Sequence, residues 1–189
     1  MSGQPEFEEL LFPHADGATL ERLARYARLL ERWAARHSLV SFRGRRELVD
    51  RHLVDALAAR PFLGRPGLLA DVGSGAGLPG VPLLVASPGW RGILVEPRQK
   101  RWAFLRAAVR ELALDATVER CRYQELGEHV PPIATITVRA LAGMDHPRSR
   151  ELLARLGAGG PDEDPGFDPG MDFAEPMIDP GFGFDDIGW

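Results

Sequence analysis

Leu68-Leu69-Ala70-Asp71-Val72-Gly73-Ser74-Gly75-Ala76-Gly77-Leu78-Pro79-Gly80-Val81-Pro82 is the stretch that decides the fold. Its first five residues form a short, mostly apolar run, the pattern of a parallel strand buried on both faces. Gly73, Gly75 and Gly77 follow at once, and a helix is predicted from about Pro79 to Ala86, broken by Ser87-Pro88-Gly89. A chain that turns sharply and lets a ligand come close needs glycine, which tolerates left-handed backbone and carries no Cβ. Free N–H groups at the helix start are then expected to meet a ligand's carboxylate or phosphate.

The spacing narrows the choice of ligand. A dinucleotide fingerprint sets its third glycine three positions beyond the second, at 78, and that residue is Leu78. A nicotinamide-dependent oxidoreductase is disfavoured on that ground and by the lack of a visible hydride-transfer acid. Glycines at 73, 75 and 77 instead match the pattern of nucleoside-fold methyltransferases. Asp71 is placed to hold the cationic amino group of a methionine-derived cofactor. Glu96 ends a second predicted strand, Ile93-Leu94-Val95, where a carboxylate accepts hydrogen bonds from both ribose hydroxyls.

Outward from this centre, strand and helix keep alternating. Gln99 to Leu112 is predicted helical, with Phe104, Leu105, Ala108, Val109 and Leu112 on one face. Strands are expected at Thr117–Arg120 and Ile133–Val138, and a last helix at Arg148–Leu156. The class is α/β: a Rossmann-like, mostly parallel sheet with helices on both faces. Upstream, Leu20, Leu23, Ala24, Ala27, Leu30 and Ala34 give a helix from about Leu20 to Ala35, with Thr19 as its N-cap. A second helix is expected from about Arg45 to Arg60, ended before Pro61, and residues 1–16 read as a loose leader. Three regions result: a helical extension (1–62), an α/β body (63–160) and a tail (161–189).

Composition separates the tail from the rest. It holds nine acids and no base, which leaves 18 acids against 23 bases before it, a net of +5. All those bases but Lys100 are arginine, and ten lie between Arg22 and Arg60. Such groups suit phosphate, though a solvated helix face accounts for them equally well. The tail repeats Asp-Pro-Gly and is expected to be disordered. No run of eighteen apolar residues and no leader pattern points to a membrane or to export. The single cysteine, Cys121, excludes a disulfide framework and a cysteine-built zinc site, and reads as a half-buried strand residue. No metal is expected.

Asp71 through Pro82 resembles the signature of the ribosomal RNA small subunit methyltransferase G family, also called glucose-inhibited division protein B. Pro79-Gly80 after the glycine loop is its most specific part. Further matches follow in order: Trp33; Arg51-His52-Leu53-Val54-Asp55; Lys100-Arg101 with Phe104-Leu105-Arg106; Arg122 with Glu125; and Arg139-Ala140. The resemblance runs from about Leu20 to Leu156. It implies methyl transfer from S-adenosyl-L-methionine to N7 of a guanine in small-subunit (16S) ribosomal RNA, free or in the 30S particle. It further implies a cytoplasmic protein, here expected as a monomer without membrane contact. By the same resemblance Asp71, Gly73, Ser74, Gly75, Gly77, Leu78 and Glu96 line the cofactor pocket. Tyr123 and Gln124 flank the adenine through their backbone. Arg139 faces the substrate side, as both a cofactor contact and the one catalytic candidate.

Other positions carry less. His52 and Asp55 share a helical face and read as a helix–sheet contact before an RNA contact, and Trp33 as core before a base-stacking platform. Arg122 is balanced between a phosphate contact and a structural ion pair. Two departures stand out. Ala34 and Ser38 occupy positions where the family has asparagines, and the tail stands where the family continues with a further strand, a β-hairpin and a lysine. A second reading follows: a cofactor-binding remnant, or a partner-binding module whose acidic, aromatic tail docks a basic protein.

Overall fold

The computed structural model describes residues 5–126, 130–139 and 154. Four strands form one sheet: β1 (Leu68–Val72), β2 (Arg91–Val95), β3 (Ala116–Glu119) and β4 (Thr135–Val138). Their order is β3-β2-β1-β4, and every pair is parallel. The chain walks outward from β1 to β3 and then returns to the other side of β1. That reversal opens a crevice at the carboxyl ends of β1 and β4, where open α/β sheets bind their ligands. The fold is thus the Rossmann-like α/β class that the glycine loop predicts.

Side-chain alternation along the strands builds two cores. Leu69 and Leu94 face α5 (Gly80–Ala86) and α6 (Gln99–Glu111), and join one cluster with them. Leu68, Ala70, Val72, Ile93 and Val95 face the other way, onto Tyr123 and Ile133. The helix expected at Arg148–Leu156 and the tail 161–189 lie outside the described residues.

The helical extension packs on the first core. Its longest element, α2 (Gly17–Ala34), contacts both α5 and α6 and buries Leu23, Ala24, Tyr26, Ala27, Leu29 and Leu30. Arg22 donates to the Leu112 carbonyl at 2.8 Å and Arg32 pairs with Glu111 at 3.3 Å, so α2 is tied to the end of α6. No helix among the described residues is long and apolar enough to cross a membrane.

Several boundaries differ from expectation for identifiable reasons. Residues 1–16 are not wholly loose: α1 (Phe7–Leu11) buries Phe7, Leu10 and Leu11, at helical spacing, against α2. Helix α2 starts earlier, after an extended Asp16, and Thr19 sits inside its first turn rather than at the cap. The expected single helix from Arg45 to Arg60 is three pieces: α3 (Arg45–Leu48), a π-helix (Val49–Val54) and α4 (Asp55–Leu57). Pro61 does not follow the helix. It opens a 3-10 turn (Arg60–Phe62), where its missing N–H costs nothing. Strand β4 starts at Thr135, later than expected, while Ile133 packs under the sheet. Cys121 is half-buried as expected, but in the bend after β3 rather than in a strand.

Phe104 sits where the layers meet. It is fully buried, packs edge-on against Trp33 with ring centroids 5.5 Å apart, and lies 6.4 Å from Tyr26. Trp33, partly buried, therefore packs against the core, on the side of the expected core role. Phe104→Ala should cost about 3–5 kcal/mol in urea unfolding, because it leaves a cavity between α2 and α6 that the two helices cannot fully close. A loss well under 1 kcal/mol would mean that the extension does not dock on α6.

Candidate functional site

Gly73, Gly75 and Gly77 all adopt left-handed backbone, with φ of +70°, +58° and +82°. Their reasons differ. A Cβ on Gly77 would lie 2.7 Å from Val81 and 3.1 Å from both Leu105 and the Tyr26 hydroxyl, so Gly77 serves close packing. A Cβ on Gly75 would meet nothing nearer than 3.7 Å, from Arg101 Nη1 and the Gly73 carbonyl. Gly75 is buried too, but there an added Cβ would meet only ordinary van der Waals contacts.

At the helix start, where free N–H groups are expected, Val81 donates to the Gly77 carbonyl and Pro82 has no N–H, and the loop before it is tied down as well. Gly73 and Ser74 both donate to the Val95 carbonyl, and Gly77 and Leu78 both donate to the Ser74 carbonyl. Gly75 donates to Glu96 Oε2 at 3.0 Å. From 73 to 78, only the Ala76 N–H has no partner among the described residues. Geometry that ties the loop to β2 consumes the donors that a looser loop would offer.

Asp71 lies beneath the loop, 1 % exposed. Thr137, its register partner on β4, donates to Oδ1 at 2.8 Å. The Ser74 hydroxyl donates to the Asp71 backbone carbonyl at 2.7 Å. Gly80 starts α5 directly over the carboxyl, and a Cβ there would fall 2.7 Å from Oδ2. This gives the Pro79-Gly80 pair its physical reason. Oδ2 is buried without a hydrogen-bond partner among the described residues. Burial raises the Asp71 pKa from 3.8 to about 6, and the Thr137 and Ser74 hydroxyls and the Gly80 amide offset this only in part. The Gly80 amide thus favours the charge without completing a bond to Oδ2.

Glu96 is buried at the end of β2 and turned toward the loop, as expected. Besides Gly75, it accepts the Arg98 N–H at 2.9 Å on Oε1, which leaves lone pairs on both oxygens. Ser74 and Leu78 are buried in the loop. Tyr123 and Gln124 lie in a 3-10 turn (Tyr123–Glu125) after β3, with Tyr123 buried and Gln124 exposed. Arg122 donates its own N–H to the Glu125 carboxylate at 2.9 Å, so the matched pair caps that turn.

Arg139 follows β4 directly. Its Nη2 reaches His52 Nδ1 at 3.3 Å, the Arg51 carbonyl at 3.5 Å and Asp55 Oδ2 at 3.5 Å. His52 and Asp55 thus make the helix–sheet contact expected of them, through Arg139. The other terminal nitrogen, Nη1, is buried without a partner among the described residues. Tyr26, which the sequence reading passed over, joins these groups. Its buried hydroxyl donates to the Ala76 carbonyl of the loop. It ionises well above its ordinary range, first from burial and then from the Asp71 charge, with Arg139 opposing. Asp71 and Arg139 therefore lie within electrostatic reach of one atom.

Part of the arginine-rich stretch is engaged in ion pairs within the chain. Arg28 pairs with Glu8, Arg45 with Glu31 at 2.9 Å and with Glu6 at 3.3 Å, and Arg51 with Glu47 at 2.9 Å. Beside the loop, a groove of about 660 Å³ runs between the end of α2, residues 38–42 and Arg101. Ala34 and Ser38, the two departures from the family's asparagines, both line it.

A family model described as rRNA small subunit methyltransferase G matches residues 19–157. Curated proteins named "Ribosomal RNA small subunit methyltransferase G" are similar to this chain. The one from Stenotrophomonas maltophilia (strain R551-3) is 42% identical over 132 residues, 68% of this chain and 62% of that protein. The one from strain K279a is 46% identical over 114 residues, 60% and 53% of the two. A Nitrosomonas europaea protein is 38% identical over 130 residues, 68% and 60%. The chain thus matches 53% to 62% of the length of these relatives.

Asp71 sets a pH signature. A carboxyl whose pKa is higher folded than unfolded holds its proton better in the folded chain, so this contribution to stability is greatest below 3.8. It is lost as pH rises through about 6, by up to about 3 kcal/mol. Asp71→Asn should therefore raise the urea midpoint near neutral pH and lose that advantage in acid. A substitution equally costly at every pH would show that the carboxyl is not strained by burial.

Proposed function

Since the chain belongs to the ribosomal RNA small subunit methyltransferase G family, we propose that it transfers the methyl group of S-adenosyl-L-methionine to N7 of a guanine in 16S ribosomal RNA. It would act as a cytoplasmic monomer, on the free RNA or the 30S particle. One observation carries this reading: a buried carboxylate oxygen and a buried guanidinium nitrogen, both unpaired among the described residues, at the ends of adjacent strands. A single acceptor and a single donor beside the glycine loop suit an α-amino acid joined to a nucleoside better than a dinucleotide pyrophosphate.

Asp71 Oδ2 receives the amino group, and an incoming ammonium restores the charged form that burial disfavours. Gly75 lets the chain of the ligand pass over the loop, and Glu96 accepts from the ribose hydroxyls with its remaining lone pairs. Tyr123 and Gln124 flank the adenine. Ser74 and Leu78 hold the loop in shape from within. Arg139 Nη1 donates to the oxygen nearest it, on the cofactor's carboxylate or on the guanine O6.

When bound, the cofactor supplies a methyl group on a positively charged sulfur. N7 of guanine carries a free lone pair, so this chain need not remove a proton first. Its residues contribute by holding acceptor and donor in line, an effect of ~7–11 kcal/mol in well-oriented systems. Arg139 in the crevice is suited to that task.

Incubation with labelled S-adenosylmethionine and undermethylated small subunits should place label in the RNA, recovered as 7-methylguanosine by nucleoside mass spectrometry. Cofactor binding without labelled RNA would favour the binding-module reading. In calorimetry, Gly75→Arg should abolish cofactor binding, because its side chain would occupy the ligand's space at a left-handed position that disfavours any side chain. Unchanged affinity would move the pocket elsewhere.

A further inference from the structure

His52 lies outside the glycine loop, and its contact with Arg139 has a further consequence. Its two ring nitrogens face opposite kinds of partner. Nε2 is 3.2 Å from the Ser41 carbonyl oxygen, which can only accept. Nδ1 is 3.3 Å from Nη2 of Arg139, and a guanidinium can only donate. Both contacts form together only when the imidazole is neutral with its proton on Nε2.

The same Nη2 also faces the Arg51 carbonyl and Asp55 Oδ2, each at 3.5 Å. Three acceptors from one helical segment thus occupy one end of the guanidinium and leave Nη1 buried at the other. The π-helix supplies two of them, and such wide turns recur at functional sites. Asp55 is exposed, with side-chain accessibility of 63%, so its ion pair alone is a weak restraint. Half-buried His52, held from both sides, is the stiffer one.

We propose that His52 is a positioning residue: locked as the Nε2–H tautomer, it fixes the Arg139 plane so that Nη1 points into the crevice between β1 and β4. What Nη1 meets there rests on the methyltransferase reading above; the hold itself does not.

Nitrogen NMR of the full chain labelled at histidine and arginine tests the hold directly. An unprotonated Nδ1, a protonated Nε2 and two separate Nη signals for Arg139 are expected. His52→Asn keeps an acceptor near the place of Nδ1, whereas His52→Gln keeps a donor near the place of Nε2. The Asn variant should preserve the separate Nη signals and transfer methyl within about threefold of the parent. The Gln variant should keep its melting temperature, merge the Nη signals and lose about tenfold or more in kcat/KM for the RNA. An Nδ1–H tautomer overturns the proposal, as does a Gln variant with separate signals and full transfer, or equal losses that track stability. A parent chain that transfers nothing sinks the methyltransferase reading instead, while the nitrogen spectra still decide whether His52 holds Arg139.

Discussion

A carboxylate buried with one oxygen unmatched is the constraint around which this structure is arranged. Asp71 could be more cheaply accommodated by letting water in, and the fold does the opposite. Gly80 brings the start of α5 down upon it, Thr137 approaches from β4, and the loop folds back over it through Ser74. Every one of those elements keeps its place because a particular small or hydroxyl-bearing side chain stands there. The cost is stability near neutral pH, the usual mark of a group kept for something other than folding.

The helical extension belongs to the site as much as to the core. Tyr26 reaches from α2 to a carbonyl of the glycine loop, and the segment after α3 reaches Arg139. A sheet with its loop alone would leave both contacts missing. The extension therefore contacts both the loop after β1 and the arginine after β4, beyond the pairing that the sheet itself gives those two strands.

Much of this was legible in the residues. Strand β1 is found at its predicted bounds because five largely apolar residues before a glycine turn admit few alternatives. Helix α6 shows its predicted face in Phe104, Leu105, Ala108 and Leu112. Glu96 points to the loop as expected. Failures came where tertiary contact overrides local pattern. Helix α1 has only five residues, too few for a periodic signal, and owes its form to α2. The π-helix has no marker in Val49–Val54, since it depends on a shift of backbone register rather than on composition. Tyr26 and Thr137 escaped because nothing in a single chain tells a packing hydroxyl from one aimed at a partner 50 or 66 residues away. The engaged Gly73 and Ser74 amides were missed for the same reason: their acceptor, the Val95 carbonyl, belongs to a neighbouring strand.

The latch between Glu96 and the Gly75 amide has an entropic side. With that bend already clasped to β2, any ligand received there would meet a finished mould, and little ordering entropy would be charged against its affinity. Selectivity then falls to shape. A ligand that fits slides in at once, while a bulkier one meets a wall that cannot yield without unclasping the sheet.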